Sequence, residues 1–305
     1  QIKLEFIGGE LVAGGTPVAM ATTNWSMPQS ITRYEPETSY PNDRYGLHLA
    51  VDGDTFVTSS SGGGVVTSDP AVAHVFVRHG SGWVEQAMIN PFTLPGETNI
   101  VNLDAIALSG DTLVLGYKDQ IGSNGSITGS VFIYTRDAGG IWTFQSKIQG
   151  GSNDEAGSVV AIEGNTLVIA QLKDGIGGSV LVYKYTGINW GLVQKIYNQG
   201  DLDFGAGLAL SGDTLVVGDR SAAHVFVTTD GISYSLQQTI ADGDMSDSYG
   251  DFALALEDDT LVVSKEVTSG TLFEVSVYTR SGTVWTEQDQ LEHLERLQTM
   301  RANPQ

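Results

Sequence analysis

The sequence predicts an all-β fold, a β-propeller of four-stranded antiparallel blades, on three observations. One motif recurs six times and is clearest as Leu-Ala-Leu-Ser-Gly-Asp-Thr-Leu-Val-Val-Gly at residues 208–218. Its relatives are 4–14, 49–59, 106–116, 160–170 and 254–264, and the marker positions Leu11, Phe56, Leu113, Leu167, Leu215 and Leu261 lie 45, 57, 54, 48 and 46 residues apart. Self-similarity at that period marks a repeat architecture. Hydrophobicity within each repeat alternates with period two, then runs continuously, as in strands half buried and then fully buried. An aromatic residue opens the last strand of each repeat: Trp25, Trp83, Trp142, Trp190, Tyr234 and Trp285.

The grammar of one repeat, residues 204–240, shows how each strand is read. Leu208 and Leu210 alternate with smaller residues, and Ser211-Gly212-Asp213 supplies the backbone angles of a tight turn. Thr214-Leu215-Val216-Val217-Gly218 is a β-branched run suited to a central strand. His224-Val225-Phe226-Val227-Thr228 alternates again, Thr229-Asp230-Gly231 turns the chain, and residues 234–240 form the outer strand. Four such strands repeated radially describe propeller blades. The six blades fall at about 1–31, 45–90, 103–150, 157–197, 204–240 and 249–291, one propeller over 1–291, and a seventh blade could have been cut away. Residues 32–44 are an inserted polar loop. Leu291, Leu294, Leu297 and Met300 are three apart among charges, which predicts a helical tail or linker over 292–305, with its apolar face beginning near 289.

Composition narrows the function classes. The 305 residues carry 15 basic and 36 acidic side chains, a net charge of −21, which disfavours nucleic acid and anionic membrane surfaces as partners. No cysteine is present, so disulfides and thiolate chemistry are excluded. No apolar run approaches the ~20 residues of a membrane span, so membrane insertion is not expected. The chain starts at Gln1 without methionine, which suggests a processed piece, and the sequons at Asn24 and Asn124 suit secretion to the extracellular space or cell surface.

The quoted motifs resemble FG-GAP repeats, the blade unit of integrin α-subunit propellers. Phe204-Gly205 stands at the Phe-Gly position, with Tyr45-Gly46 and Tyr249-Gly250 as near matches, and the later Gly-Ala-Pro element is reduced to a glycine at Gly116 and Gly218. The resemblance implies a propeller that recognises other molecules at the cell surface. The calcium loop of the family, Asp-x-Asp-x-Asp-Gly-x-x-Asp before the second strand, is replaced by the shorter Ser-Gly-Asp turn, so those sites do not carry over.

Candidate chemistry is sparse. Asp201, Asp203, Asp242, Asp244, Asp247 and Asp251 cluster before two blades and would bind calcium weakly as carboxylate ligands. Solvated acidic loops are the plainer reading, and no cofactor is expected. His74 and His224 precede Val-Phe-Val in their blades, where Ser130 and Ser179 are taken to stand elsewhere, and positional equivalence argues a structural role. His48, His79 and His293 are isolated, and no Gly-x-Ser-x-Gly elbow or zinc motif occurs. The expected function is a non-enzymatic extracellular adhesion module binding protein or glycan through loops on one face, including 59–73, 117–128 and 171–178. The alternatives are an assembly subunit, joined to copies or a neighbouring domain by its C-terminal helix, and a carbohydrate-active enzyme.

Overall fold

The structure is a computed structural model, described over residues 4–7, 10–13, 16–17, 45–60, 71–97, 102–123, 125–175, 177–197, 203–241, 253–268 and 272–292. The chain divides into two compact units, 1–34 and 35–305. In the first, Leu4–Ile7, Glu10–Ala13 and Thr16–Pro17 form a three-stranded sheet with Phe6 opposite Leu11. The expected outer strand at Trp25 lies outside the described residues.

The second unit contains five four-stranded antiparallel sheets, each built from strands consecutive in sequence. This is the propeller-like all-β fold that the repeat predicts. The sheet formed by Gly207–Ser211, Thr214–Gly218, Ala222–Thr228 and Tyr234–Ala241 follows the strand grammar read from 204–240. Its second strand is buried along its whole length. The outer strand of the last sheet is Val284–Glu292, so residues 289–292 extend a strand and do not begin a helix. Residues 293–305, the rest of the predicted tail, lie outside the described residues.

Each sheet has a face of small residues and a face of large ones, and the small face of one meets the large face of the next. Val57, Ala73 and Val75 pack on Leu113, Leu115 and Phe132 of the following sheet. Val114, Val131 and Ile133 then pack on Leu167, Ile169 and Leu181. The pattern continues through Val168 and Val182 on Leu215 and Phe226, and Val216 and Val225 on Leu261 and Tyr278. Packing of this kind excludes water from both faces of the central strands, the dominant stabilising term for such a stack.

A second device locks neighbouring sheets. The outer strand of each of the five sheets carries a bulge, where one residue is left without a cross-strand partner: Gln86, Gln145, Val193, Gln237 and Gln288. Bulges re-aim the extra side chain. Gln86 accepts the Trp142 indole N–H at 2.9 Å, Gln145 accepts that of Trp190 at 2.9 Å, and Gln237 that of Trp285 at 3.2 Å. Tyr234 replaces Trp in the sheet that follows the Val193 bulge, and there Gln194 bonds the Tyr234 backbone N–H and carbonyl, as Gln238 bonds those of Trp285. The Trp-x-x-Gln spacing thus records a contact between sheets.

Candidate active site

The repeat register places His74 and His224 in one slot, directly across from the residue two beyond each marker: Thr58 and Val217. The same slot holds Phe132, Leu181 and Ser276 in the other sheets. Ser130 and Ser179 therefore do not occupy it, a correction of two residues that strand pairing makes visible and linear reading does not. Two imidazoles thus stand where a core phenyl or isobutyl group packs elsewhere.

His74 is 5% exposed and its partners are specific. Ser60, the last residue of the strand Thr55–Ser60, places Oγ 3.0 Å from His74 Nε2. Glu85, in the outer strand Gly82–Ile89, places Oε1 2.8 Å from His74 Nδ1. The bulge between Val75 and Phe76 sets Glu85 opposite Phe76, on the face that carries His74. With its proton on Nδ1, held by the Glu85 carboxylate, the imidazole offers a free electron pair on Nε2 to the Ser60 hydroxyl. This is the hydroxyl–imidazole–carboxylate order of a nucleophilic triad, which is defined by geometry and roles and not by sequence position. Ser60 is 3% exposed, and the Glu85 side chain is 46% exposed. Tyr45 meets the His74 ring edge-on at 5.4 Å.

The His224 slot is wired in the opposite sense. Nε2 lies 2.7 Å from the buried Asp219 carboxylate and Nδ1 lies 3.2 Å from Thr239 Oγ1. Burial works against the Asp219 carboxylate, but bonds from His224 and the Ser221 and Ala222 N–H groups hold its pKa below the ordinary value. The ring nitrogens are exchanged relative to His74, and the Asp219 carboxylate also accepts from the Ser221 and Ala222 N–H groups, which ties this histidine to the 219–222 turn.

A second polar group lies beside the start of the same sheet as His74. Lys118 Nζ is 3.2 Å from Asp104 Oδ1, and the Lys118 N–H donates to Asp104 Oδ2 at 3.0 Å. Burial raises the Asp104 carboxyl above its ordinary value, with Lys118 pulling part of the way back. Burial also opposes the Lys118 ammonium, yet the Asp104, Asp119 and Glu155 charges carry its pKa above the usual range. His48 titrates below 6.5, through burial first and the nearby Lys118 charge second. The unfolded chain therefore takes up a proton at His48 before the folded one, and stability from this group is lost as pH falls below about 6.5. Replacing Lys118 by Met removes the second cause alone, so the His48 imidazole is expected to titrate at higher pH in NMR. An unchanged or lower value would refute the pairing.

Of the six carboxylates considered for calcium, Asp203 is described; Asp201, Asp242, Asp244, Asp247 and Asp251 lie outside the described residues, as does His293. Asp203 has φ 64° and is ion-paired with Arg220 at 2.5 Å. Among the described residues no group of three or more His, Cys, Asp or Glu is placed to hold a metal.

No protein-family model matches the chain, and no curated protein matches it. Solved structures do. A proposed 6-phosphogluconolactonase from Bacteroides fragilis aligns over 80% of this chain and 69% of its own, with 13% identity and a TM-score of 0.54. A proposed 6-phosphogluconolactonase from Bacteroides uniformis aligns over 79% and 68%, with 11% identity and the same TM-score. At these identities the likeness carries the β-propeller and not an integrin-like family. The comparison also corrects the expectation of a non-enzymatic adhesion module, because the propellers that match are described as lactonases, which are enzymes.

Sequence reading missed Ser60 and Glu85 and gave His74 a structural role. The three are spaced 14 and 11 residues apart on three strands, with no linear motif. The available signal was a histidine in a repeat slot that elsewhere holds Phe132, Leu181, Ser276 and a second histidine, His224.

Proposed function

We propose that the chain is a serine hydrolase of carboxylic esters or lactones, with Ser60 as nucleophile, His74 as general base and Glu85 as the carboxylate that orients the imidazole. The observation that carries this reading is the pair of contacts from one buried imidazole, Nε2 to a hydroxyl and Nδ1 to a carboxylate. The lactonase descriptions of the matching propellers support the acyl-transfer class. The repeat unit itself we read as FG-GAP-like, on Phe204-Gly205 and the glycines at 116 and 218.

In the proposed reaction the Ser60 Oγ attacks the carbonyl carbon while its proton passes to His74 Nε2. The C–O bond of the ester then breaks, and the departing alkoxide takes that proton from His74. With a lactone the new hydroxyl stays attached to the acyl group. Water repeats the sequence, again giving its proton to His74, and releases the acid and free Ser60. General-base assistance of this kind contributes roughly 10²–10⁴-fold.

A fluorophosphonate tests the nucleophile without requiring the natural substrate. One equivalent is expected to add covalently to Ser60, found by mass spectrometry of the peptide, and His74→Ala is expected to suppress the adduct. An intact protein that stays unlabelled, or is labelled at another serine, rejects the reading.

A further inference from the structure

We infer that Tyr45 is a positioning residue for this site, its ring holding the His74 imidazole so that Nε2 stays aimed at the Ser60 hydroxyl; the inference rests on the serine-hydrolase reading above. Two hydrogen bonds alone do not fix an imidazole. The contacts at Nδ1 and Nε2 define a line from Glu85 Oε1 to Ser60 Oγ, and the ring can still tip about that line through small changes in its two side-chain torsions. The outer torsion of histidine is broad, so it resists such tipping weakly. A third contact removes the freedom. Tyr45 supplies it, with ring centres 5.4 Å apart and planes at 67°. A T-shaped arrangement of this kind is attractive in its own right, beyond the area it buries.

The repeat shows that this ring belongs with an imidazole. In the row of His74 the first-strand residue is Leu49, and Tyr45 stands four residues before it. In the row of His224 the first-strand residue is Leu208, and Phe204 stands four residues before it. Phe204 meets His224 as Tyr45 meets His74, at 5.7 Å and 61°. Where the slot holds Phe132 and Leu181, the same place holds Asn102 and Ala156. The corresponding place in the last sheet lies outside the described residues. An aromatic residue thus accompanies each slot histidine and neither Phe132 nor Leu181.

The backbone carries Tyr45 on the same frame as the nucleophile. The Gly46 N–H donates to the Ser59 carbonyl at 2.9 Å, the Ser59 N–H donates to the His48 carbonyl at 3.1 Å, and the His48 N–H donates to Ser59 Oγ at 3.0 Å. Ser59 directly precedes Ser60, so the turn that bears the ring is stitched to the residue beside the nucleophile. Gly46 has φ +86° and nothing within 4 Å of where a Cβ would lie, so glycine serves the turn itself. The joint at His224 is tied in the same way, the Gly205 N–H donating to the Gly218 carbonyl at 2.9 Å. Ring, base and nucleophile are thus referred to one segment. That matters because a misplacement of about 1 Å can cost roughly 100-fold in rate.

Steady-state hydrolysis of p-nitrophenyl acetate by the full chain, beside fluorophosphonate labelling of Ser60, tests the assignment. Tyr45→Leu and Tyr45→Met fill the space without a ring and are expected to lower kcat roughly tenfold to 100-fold, with KM nearly unchanged. Tyr45→Phe keeps the ring and is expected to restore kcat to near the parent value. The proton between His74 Nδ1 and Glu85, identified in NMR by its loss in His74→Ala, is expected to broaden in the Leu and Met variants and to stay sharp in the Phe variant. Phe204→Leu, at the equivalent joint, is expected to lower Tm while leaving kcat and that resonance unchanged, which separates positioning from packing. Ser60 labelled in the parent, with kcat unchanged in the Leu and Met variants or lost equally in the Phe variant, overturns the inference and leaves the serine-hydrolase reading standing. A parent whose Ser60 takes no label rejects that reading and the inference with it.

Discussion

Replacing Ser60 by Ala is expected to lower kcat/KM for ester hydrolysis by roughly 10⁴-fold or more, and His74→Ala by a similar factor. The size follows from what each group does. Without Oγ no acyl intermediate forms, and without Nε2 the hydroxyl keeps its proton and remains a poor nucleophile. Because the two act as one unit, the double variant is expected to be little worse than either single variant. Independent, multiplying losses would show that the residues do not form a triad. Glu85→Gln keeps a hydrogen-bond acceptor for Nδ1 but removes the charge that favours imidazolium, so its loss is expected to be smaller and still measurable. Circular dichroism separates chemistry from folding, since Ser60→Ala removes one buried oxygen and should melt close to the parent.

A large effect on stability is expected at Gly116. An added Cβ there would lie 2.2 Å from the Gly157 carbonyl oxygen and 3.0 Å from its carbon, both backbone atoms of the next sheet. Backbone cannot rotate aside as a side chain can, so Gly116→Ala forces two sheets apart and is expected to cost about 3 kcal/mol or more. For a unit of this size that lowers Tm by about 6–10 °C. Gly164 provides the contrast. It has φ +53° and nothing within 4 Å of where a Cβ would lie, so Gly164→Ala strains the turn alone, at about 1 kcal/mol. Thermal melts in which the two variants fall equally would contradict the close approach at Gly116.

Much of the fold was legible because repetition multiplies weak signals. A single Thr-Leu-Val-Val run is ambiguous, but the run before Gly116 and the run before Gly218 share a turn, a strand and an outer aromatic. The glycine left from the Gly-Ala-Pro element also has a physical cause: Gly116 faces the backbone of the next sheet, and Gly157 has φ +91°. The bulge was invisible, because Gln86 and Gln145 differ from neighbouring polar residues only in being unpaired across the strands. The predicted helix failed at 289–292 for a related reason. Leu291 pairs with Val275 across the sheet, and the three-residue spacing seen from Leu291 onward also accommodates a strand end.

The candidate site was illegible because its members meet only after three strands pair. Ser60 ends one strand, His74 lies near the start of the next, and Glu85 reaches them only because the bulge at Gln86 shifts the outer strand by one residue. The stretch 59–73 differs strongly from its counterparts in other repeats, and it begins one residue before Ser60 and ends one residue before His74. Variation marks the place without revealing the chemistry. Positional equivalence did not separate the two histidines, since each bonds one carboxylate and one hydroxyl: His224 to Asp219 and Thr239, His74 to Glu85 and Ser60.

The indole-to-glutamine contacts bear on how such a chain can grow. Each contact takes its donor from one sheet and its acceptor from the one before, so a duplicated unit brings both halves of the joint with it. Gene duplication can then lengthen the array without inventing a new seam, and selection acts on joints in pairs. At Tyr234 and Val193 the indole contact is missing and a backbone clasp holds the seam, Gln194 bonding Tyr234 as Gln238 bonds Trp285. The seam thus has two parts, and the backbone part tolerates either residue at the aromatic position.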